Sequence, residues 1–263
     1  EKDIEMVEKR NLEREEQFNL AVDVLMLAGT LLLQSGSEIY RVEDTMIRIA
    51  HSQGIIDCNA LAMPVAIFFS IENTNISRMK RITHSNYNIE KVCDVNQVSR
   101  ELVSGDITLE EAFERLAQLK KKKTPYTNRQ LTLAATISAP FFSIMFGGNL
   151  YDALGAALAT FFGFAFSLSV NKYVRIPFVT AFAGAFIFGL LAQIWARYSS
   201  FPSSADLIIA GAVMPFVPGI ALTNAVRDLM TNHLNSGMSK IFETLLITLA
   251  LGAGTSVALV LMK

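Results

Sequence analysis

The chain has 263 residues and a net charge of −1 at neutral pH, and 51% of its residues are hydrophobic. This balance gives no reason to expect nucleic acid or another strongly charged partner. The two cysteines, Cys58 and Cys93, form no C-x-x-C pair, so we expect neither a disulfide framework nor a metal site, and no cofactor.

Charged residues are distributed very unevenly along the chain. Residues 1–130 contain 37 Asp, Glu, Lys and Arg residues, whereas residues 131–262 contain nine. We therefore predict a membrane protein in which a cytosolic α+β domain, residues 1–125, is followed by a transmembrane domain, residues 126–263.

The chain begins with a charged stretch that leads into an apolar run, Phe18 to Leu33. A membrane span needs about 20 residues, and this run is shorter. We therefore predict that it forms a buried helix of a soluble domain. Gly36 suits the left-handed position after the end of that helix. Ser37 can then cap a second helix, over residues 38–53.

Strand-like composition follows from Ile55 to Ile71, and Pro64 is expected either to divide this stretch into two strands or to place a bulge in it. An imperfect alternation over residues 76–83 predicts a third strand, and helical patterns follow at residues 89–103 and 109–119. The predicted α+β domain thus contains two helices, a small sheet and two further helices.

The second half contains five consecutive stretches with almost no charge, each long enough to cross a hydrocarbon core of about 30 Å. We predict five transmembrane helices, at about residues 131–151, 153–170, 176–196, 207–226 and 241–262. Three of these stretches carry small residues at every fourth position: Gly155, Ala159 and Gly163; Ala181, Ala185 and Gly189; Ala250, Gly254 and Ala258. This spacing lets helix backbones approach closely in lipid and predicts a helical bundle.

Lysine and arginine concentrate on one side of the predicted membrane. Nine lie near span ends on the side of the first domain: Lys120, Lys121, Lys122, Lys123, Arg129, Lys172, Arg175, Arg227 and Lys240. The other side has two, Arg197 and Lys263. Because cytoplasmic loops carry the excess of these residues, we predict a cytoplasmic N-terminus and an external C-terminus.

Pro215, Pro218 and Gly219 interrupt the fourth predicted span. Each proline removes a backbone donor and disturbs the preceding turn, and the glycine loosens the chain that follows. Backbone groups released in this way can be offered to a polar substrate or to a water-filled cavity. A functional break and a simple kink, packed against a neighbouring helix, are both open interpretations.

Polar residues follow this break near the cytoplasmic end of the predicted spans. Asn224 and Asp228 lie one turn apart and therefore share a helix face, and Glu243 lies near the beginning of the fifth span. A carboxylate partly withdrawn from water can take up and release protons. Asp228 could therefore couple proton and solute movement, or be an interfacial carboxylate paired with Arg227, with Lys240 or with a helix end. Arg227 itself is expected to point elsewhere, towards the headgroups.

In the first half, the segment Gly36 to Thr45 reads GSEIYRVEDT and places Glu38, Arg41 and Glu43 at the beginning of the second helix. Glu38 and Arg41 are spaced to form an i,i+3 ion pair. A buried Arg–Glu pair could fix how the first domain docks, whereas a solvated helix face is the alternative.

Two segments of the chain resemble the signatures of the threonine/serine exporter family. The first is the segment with Gly36, Glu38, Arg41 and Glu43, and the second runs from Pro218 through Asn224 and Asp228 to Gly237. The layout is similar from about Glu15 to Leu261. The resemblance implies that the charged residues of the first segment define the family. It also implies that Pro218, Gly219, Asn224 and Asp228 belong to the transport pathway.

For function, the resemblance implies an exporter of small polar metabolites, driven by the proton motive force, in a bacterial inner membrane. The family includes single chains of about ten spans that export threonine and serine. It also includes split forms in which a chain like this one works with a smaller companion of about four or five spans, with succinate as a substrate. We expect this chain to be the larger component of the split form, with such a companion or as a homo-oligomer.

A membrane-anchored hydrolase or sensor is the alternative from another functional class. His51, Asp57 and Cys58 are close in sequence and His84 follows, so a Cys–His nucleophile is conceivable. No G-x-S-x-G, H-E-x-x-H or phosphate-binding glycine loop accompanies them. We therefore predict a transporter and assign no catalytic residue.

Overall fold

The structure, a computed structural model, describes residues 2–83, 85–122 and 126–262. The chain divides into two compact units: Glu1–Lys123 with Thr223–Ser239, and Thr124–Leu222 with Lys240–Lys263. Residue 125, where the sequence predicts the domain boundary, lies outside the described residues, as do His84, Lys123 and Lys263.

The first unit follows the predicted order of elements. In the first half of the chain its elements are α1 (Lys2–Gln34), α2 (Ile39–Ser52), β1 (Cys58–Met63), β2 (Ala66–Ile71), β3 (Ser77–Arg81), α3 (Ile89–Ser104) and α4 (Leu109–Lys121). Pro64 lies in the turn between β1 and β2, which confirms the predicted division. Most of α9 (Gly219–Met230) and the beginning of α10 (Leu234–Leu261) also belong to this unit.

The sheet is antiparallel, with β2 between β1 and β3. Ile67 and Phe69 of β2 are buried and face the helices, whereas Phe68 between them is exposed. This alternation follows from the period of two in a strand. α1 and α2 supply much of the core on the inner face, and Gly29 allows them to approach, since a Cβ there would lie 2.5 Å from the Met46 sulfur.

The second unit consists largely of apolar helices. In chain order they are α5 (Asn128–Met145), α6 (Leu150–Tyr173), α7 (Pro177–Tyr198) and α8 (Ala205–Val213), then a 3-10 turn (Met214–Phe216), the beginning of α9 and most of α10. α6 packs against α5, α7 and α8. α10 approaches α7 through small residues: a Cβ on Gly254 would lie 2.5 Å from the Phe182 carbonyl oxygen, and one on Gly189 would lie 2.9 Å from the Ala258 Cβ. The predicted close packing is confirmed for these two helices.

The described chain is mostly helical and contains several helices apolar enough to cross a membrane, as expected of a membrane protein. Four stretches are also long enough: Arg14–Gln34, Leu150–Tyr173, Pro177–Tyr198 and Leu234–Leu261. A fifth candidate is the pair Ala205–Phe216 and Gly219–Met230, which is bent by 58°. This set differs from the predicted five, because it includes part of α1 and does not include α5. The exact number of spans stays a prediction.

The boundaries of the first predicted span, residues 131–151, are wrong. α5 ends at Met145 and α6 begins at Leu150. Asn149 and Asp152 form a capping box at this point, in which each side chain accepts the other residue's backbone N–H. Hydropathy does not register such a stop, because two polar side chains satisfy the helix end inside an otherwise apolar run.

Two later boundaries also differ from the prediction. α9 continues to Met230 rather than ending at residue 226, and α10 begins at Leu234 rather than at about residue 241. Both extensions carry charged or polar residues, which a search for apolar stretches leaves out.

We expect Gly254→Ala to lower the free energy of unfolding by about 1–3 kcal/mol, because the new methyl group would overlap the backbone of α7. Gly252→Ala is the matched control on the same helix. A Cβ at Gly252 meets nothing within 4 Å, so this change should be neutral or stabilise by up to about 1 kcal/mol. Thermal unfolding of both variants in detergent provides the measurement, and equal midpoints would contradict the close helix packing.

Candidate functional site

The turn between α1 and α2 carries the first of the two sequence signatures. Gly36 has a φ of +82°, in the left-handed region, and a Cβ there would lie 2.4 Å from the Tyr87 ring. Both the backbone conformation and the space therefore require glycine. The prediction that Gly36 ends the first helix is confirmed.

Ser37 does not cap α2, so that prediction is wrong. The N-cap residue is Glu38, and its side chain makes no capping hydrogen bond. Instead, the Ile39 N–H donates to Oδ1 of Asp228, 189 residues further along the chain, at 3.0 Å. A carboxylate from α9 thus takes the place of a local cap at the beginning of α2.

Three residues on one face of α9 contact the turn between α1 and α2. Nδ2 of Asn224 donates to the Gly36 carbonyl oxygen at 2.9 Å. Arg227 forms an ion pair with Glu38, and Asp228 makes the capping bond described above. Asn224 and Asp228 are buried, Asp228 completely. The two signatures, far apart in sequence, are therefore in direct contact, and we call this group of residues the α9 contact.

The prediction that Arg227 points towards the headgroups is wrong. Arg227 lies three residues after Asn224, which places both on the same side of the helix, and its long side chain reaches Glu38. The predicted pair of Glu38 with Arg41 is confirmed, with Nε and Oε2 3.4 Å apart. The Arg41 side chain is about half exposed and also donates from Nε to the Tyr40 hydroxyl at 3.0 Å.

The Glu38 carboxylate lies between these two arginines, and its side chain is only 10% exposed. Burial raises the pKa of Glu38, but the hydrogen bond from its own backbone N–H and the charges of Arg41 and Arg227 lower it. The net effect holds the pKa below the ordinary value of 4.5. Glu38 therefore stays ionised, and both ion pairs persist, into mildly acidic conditions.

A second link joins α2 to the loop after α9. Nε2 of His233 lies 2.9 Å from Oε2 of Glu43, and its Nδ1 lies 3.0 Å from the Thr231 hydroxyl. The other Glu43 oxygen accepts a hydrogen bond from the Ala62 N–H at 2.8 Å. Glu43 thus bridges β1 and His233. Sequence reasoning did not find His233, because a single histidine in a short polar loop gives no pattern that identifies a distant partner.

The remaining predicted pathway residues belong to the second unit, whereas the α9 contact belongs to the first. Pro215 lies in the 3-10 turn, Pro218 precedes α9, and Gly219 is the first residue of that helix. Glu243 lies on α10 and is exposed. Within the first unit, the structure therefore brings together Asn224, Asp228 and the first signature.

Among the described residues, those considered for nucleophilic catalysis do not form an activated pair, and His84 lies outside the described residues. His51 is exposed near the end of α2. Burial and then the charge of Asp57 raise the pKa of the Cys58 thiol. A raised pKa makes the thiolate scarcer, whereas a nucleophilic cysteine needs a lowered one.

Comparison with known proteins gives one consistent family. The model of the threonine/serine exporter family, ThrE, matches residues 23–262. The "Probable succinate transporter subunit YjjP" of Escherichia coli (strain K12) is 24% identical over 254 residues, which cover 93% of this chain and 95% of that protein. The protein of the same name from Klebsiella aerogenes is 24% identical over 238 residues, 87% of this chain and 88% of that protein.

A longer relative matches as well. The "Probable threonine/serine exporter" of Mycobacterium tuberculosis is 18% identical over 242 residues, which cover 90% of this chain but 45% of that protein. No solved structure matches the chain.

We expect Asp228→Ala to lower the free energy of unfolding by about 1–2 kcal/mol, because the Ile39 N–H loses its acceptor. Asp228→Asn keeps an oxygen at this position and should cost less. Asp23→Ala, at an exposed position of α1, is the control and should leave the unfolding midpoint nearly unchanged. Thermal unfolding in detergent tests whether stability falls most in Asp228→Ala, less in Asp228→Asn and hardly at all in Asp23→Ala. If Asp228→Ala were as stable as the wild type, a capping role of Asp228 would be contradicted.

The lowered pKa of Glu38 predicts a pH dependence of stability. A carboxylate with a depressed folded-state pKa stabilises the fold fully above its unfolded-state pKa, and this contribution is lost as the pH falls towards the folded value. Glu38→Gln should therefore lower the unfolding midpoint at pH 7, and the difference from wild type should shrink below pH of about 4.5. Glu114→Gln, at an exposed position of α4, should show no such difference. If the difference in unfolding midpoint between Glu38→Gln and wild type stayed constant from pH 7 to below pH of about 4.5, the lowered pKa of Glu38 would be contradicted.

Proposed function

Because the chain belongs to the threonine/serine exporter family, we propose that it is a subunit of a secondary transporter that exports small polar metabolites across a bacterial inner membrane. The proposed substrates are threonine, serine or dicarboxylates such as succinate. Each of them presents a carboxylate and a second polar group, so one polar site could serve any of them. The proposed driving force is the proton motive force.

The observation that carries this proposal is the bend of 58° between Ala205–Phe216 and Gly219–Met230. Proline has no backbone N–H, so regular helical hydrogen bonding cannot continue through Pro215 and Pro218. In transporters, interrupted helices of this kind supply backbone groups to the substrate site. We therefore assign Pro215, Pro218 and Gly219 to the solute pathway.

Asp228 is the proposed proton-coupling carboxylate, and Asn224 lies beside it on the same helix face. The support is that Asp228 is completely buried and holds the Ile39 N–H of α2, so a change in its charge would act directly on the α9 contact. Proton uptake would remove the negative charge and weaken this bond. The α9 contact would then loosen, which is the kind of conformational step that a proton-driven cycle requires. Glu243 is the second candidate for a proton site.

The proposed arrangement has a cytosolic domain of residues 1–125 and a transmembrane domain of residues 126–263 with five helices. The N-terminus would lie in the cytoplasm and the C-terminus outside. Two relatives of similar length are named as transporter subunits, which supports a companion subunit. The proposed companion is smaller and has about four to five spans, and a homo-oligomer is the other proposed assembly. Many transporters build the substrate site between two repeats.

The function is tested by reconstituting the chain into liposomes with and without a candidate companion. Preloaded threonine, serine, succinate and an uncharged sugar as control are then compared in counterflow. We expect exchange of at least one of the first three and none of the sugar. Catalytic or ligand-sensing activity of the purified full chain, without flux in any combination, would favour a membrane-anchored enzyme or sensor instead.

In this assay, Asp228→Asn should abolish efflux driven by a pH gradient while the protein stays folded in the membrane, because Asn keeps a hydrogen-bond acceptor but cannot take up a proton. Asp206→Asn is the control, since Asp206 is an exposed carboxylate at the beginning of α8. Efflux that is unchanged in Asp228→Asn, at equal protein amount, would remove Asp228 from the coupling mechanism.

A further inference from the structure

A groove of about 440 Å³ lies between α5 and α6 in the second unit. Arg129 is the second residue of α5 and Lys172 the next-to-last residue of α6, and both line the groove. The two helices are consecutive and are joined by a short turn, so the beginning of α5 and the end of α6 lie at the same end of this pair. The groove therefore has two exposed cationic side chains at one end, with the Ser169 hydroxyl nearby.

The rest of the groove is apolar. Leu133, one turn further along α5, and Leu168 and Phe161 of α6 line it. Leu133 is 53% exposed and Phe161 is 39% exposed, so these side chains lie open rather than packed in the core. Along the helix axis the lining thus changes from cationic to apolar over a few turns, which matches a ligand with an anionic head and a hydrocarbon tail.

We propose that this groove binds an anionic phospholipid, with the phosphate at Arg129 and Lys172 and an acyl chain along Leu133, Phe161 and Leu168. Arginine and lysine form charge-assisted hydrogen bonds to phosphate. The positive end of the α5 dipole lies at the same place and favours an anion there as well.

The membrane side supports the choice of lipid over a free anion. The end of the helix pair with Arg129 and Lys172 also carries Arg175, and an excess of such residues marks the cytoplasmic face. Anionic lipids attract basic residues at that surface, and basic pockets between membrane helices bind their headgroups. A free phosphate or a small polar solute would match only the cationic end of the groove and would make no use of its apolar wall. The site shares no residue with the proposed solute pathway, so its failure and that of the transport proposal are distinguishable.

The test uses the full purified chain in detergent, titrated with dioleoyl phosphatidylglycerol or dioleoyl phosphatidylcholine and analysed for retained lipid by native mass spectrometry. We expect the anionic lipid to be retained and the zwitterionic one to be lost. Arg129→Gln and Lys172→Gln should each weaken retention about fivefold, and the double variant about 25-fold. Arg175→Gln, which removes a charge from the same end but outside the groove lining, should change retention less than twofold.

Leu168→Asn is a second test, in which the charges of Arg129 and Lys172 are kept and only the apolar lining is changed. It should weaken binding of the phospholipid but leave binding of glycerol phosphate, a soluble headgroup, unchanged. Equal losses in Arg175→Gln and the groove variants would show attraction to surface charge and overturn the site. Glycerol phosphate that displaces the lipid as effectively as phosphatidylglycerol would overturn the acyl-chain contact. A companion helix that crosslinks into the groove and excludes lipid would make the groove a protein interface and overturn the proposal.

Discussion

The contact on which the first unit depends is a helix cap supplied from a distance. The beginning of α2 has backbone N–H groups without helical partners, and no local side chain caps them. The carboxylate of Asp228 accepts a hydrogen bond from one of these N–H groups. Asn224 and Arg227, on the same face of α9, contact Gly36 and Glu38 just before α2. The position of α2 is thereby tied to α9, so the two sequence signatures act as one structural feature.

This arrangement combines groups whose burial would otherwise be unfavourable. A completely buried carboxylate is costly unless it is hydrogen-bonded, and an uncapped helix beginning is costly for the same reason. Each satisfies the other here. The Glu38 carboxylate likewise gains two arginine partners, so burial of its charge is compensated. Removing Asp228 leaves the Ile39 N–H without this acceptor, and removing both arginines leaves the Glu38 carboxylate buried without a compensating charge.

Local features could be predicted from the sequence, because they depend on residues close to each other in the chain. Gly36 ends a helix through its own backbone freedom, and Pro64 divides a strand stretch through its missing N–H. Ser37, the next residue, shows where such local prediction fails. Its hydroxyl could cap a helix, yet Asp228 caps α2 instead. Nothing in the local sequence distinguishes a residue that can cap from one that does.

The same limit explains the other differences. The sequence predicts that Arg227 points towards the headgroups, but its side chain pairs with Glu38, far away in sequence. His233 had no recognisable pattern at all. The beginning of α6 at Leu150 is marked by a polar capping box inside an apolar run, and a hydropathy average over this run does not detect it. Periodicity thus predicts which elements exist, whereas tertiary hydrogen bonds decide where they end and what they contact.

The third strand has a consequence for how the first unit can recognise other molecules. β3 lies at the edge of the sheet, all its residues are exposed, and Arg78, Lys80 and Arg81 follow one another closely along it. Repulsion between such charges and the cost of desolvating them oppose the addition of a further strand at this edge. A partner that binds at β3 would therefore contact its side chains rather than extend the sheet by main-chain pairing. An acidic surface on the partner would complement these basic side chains best.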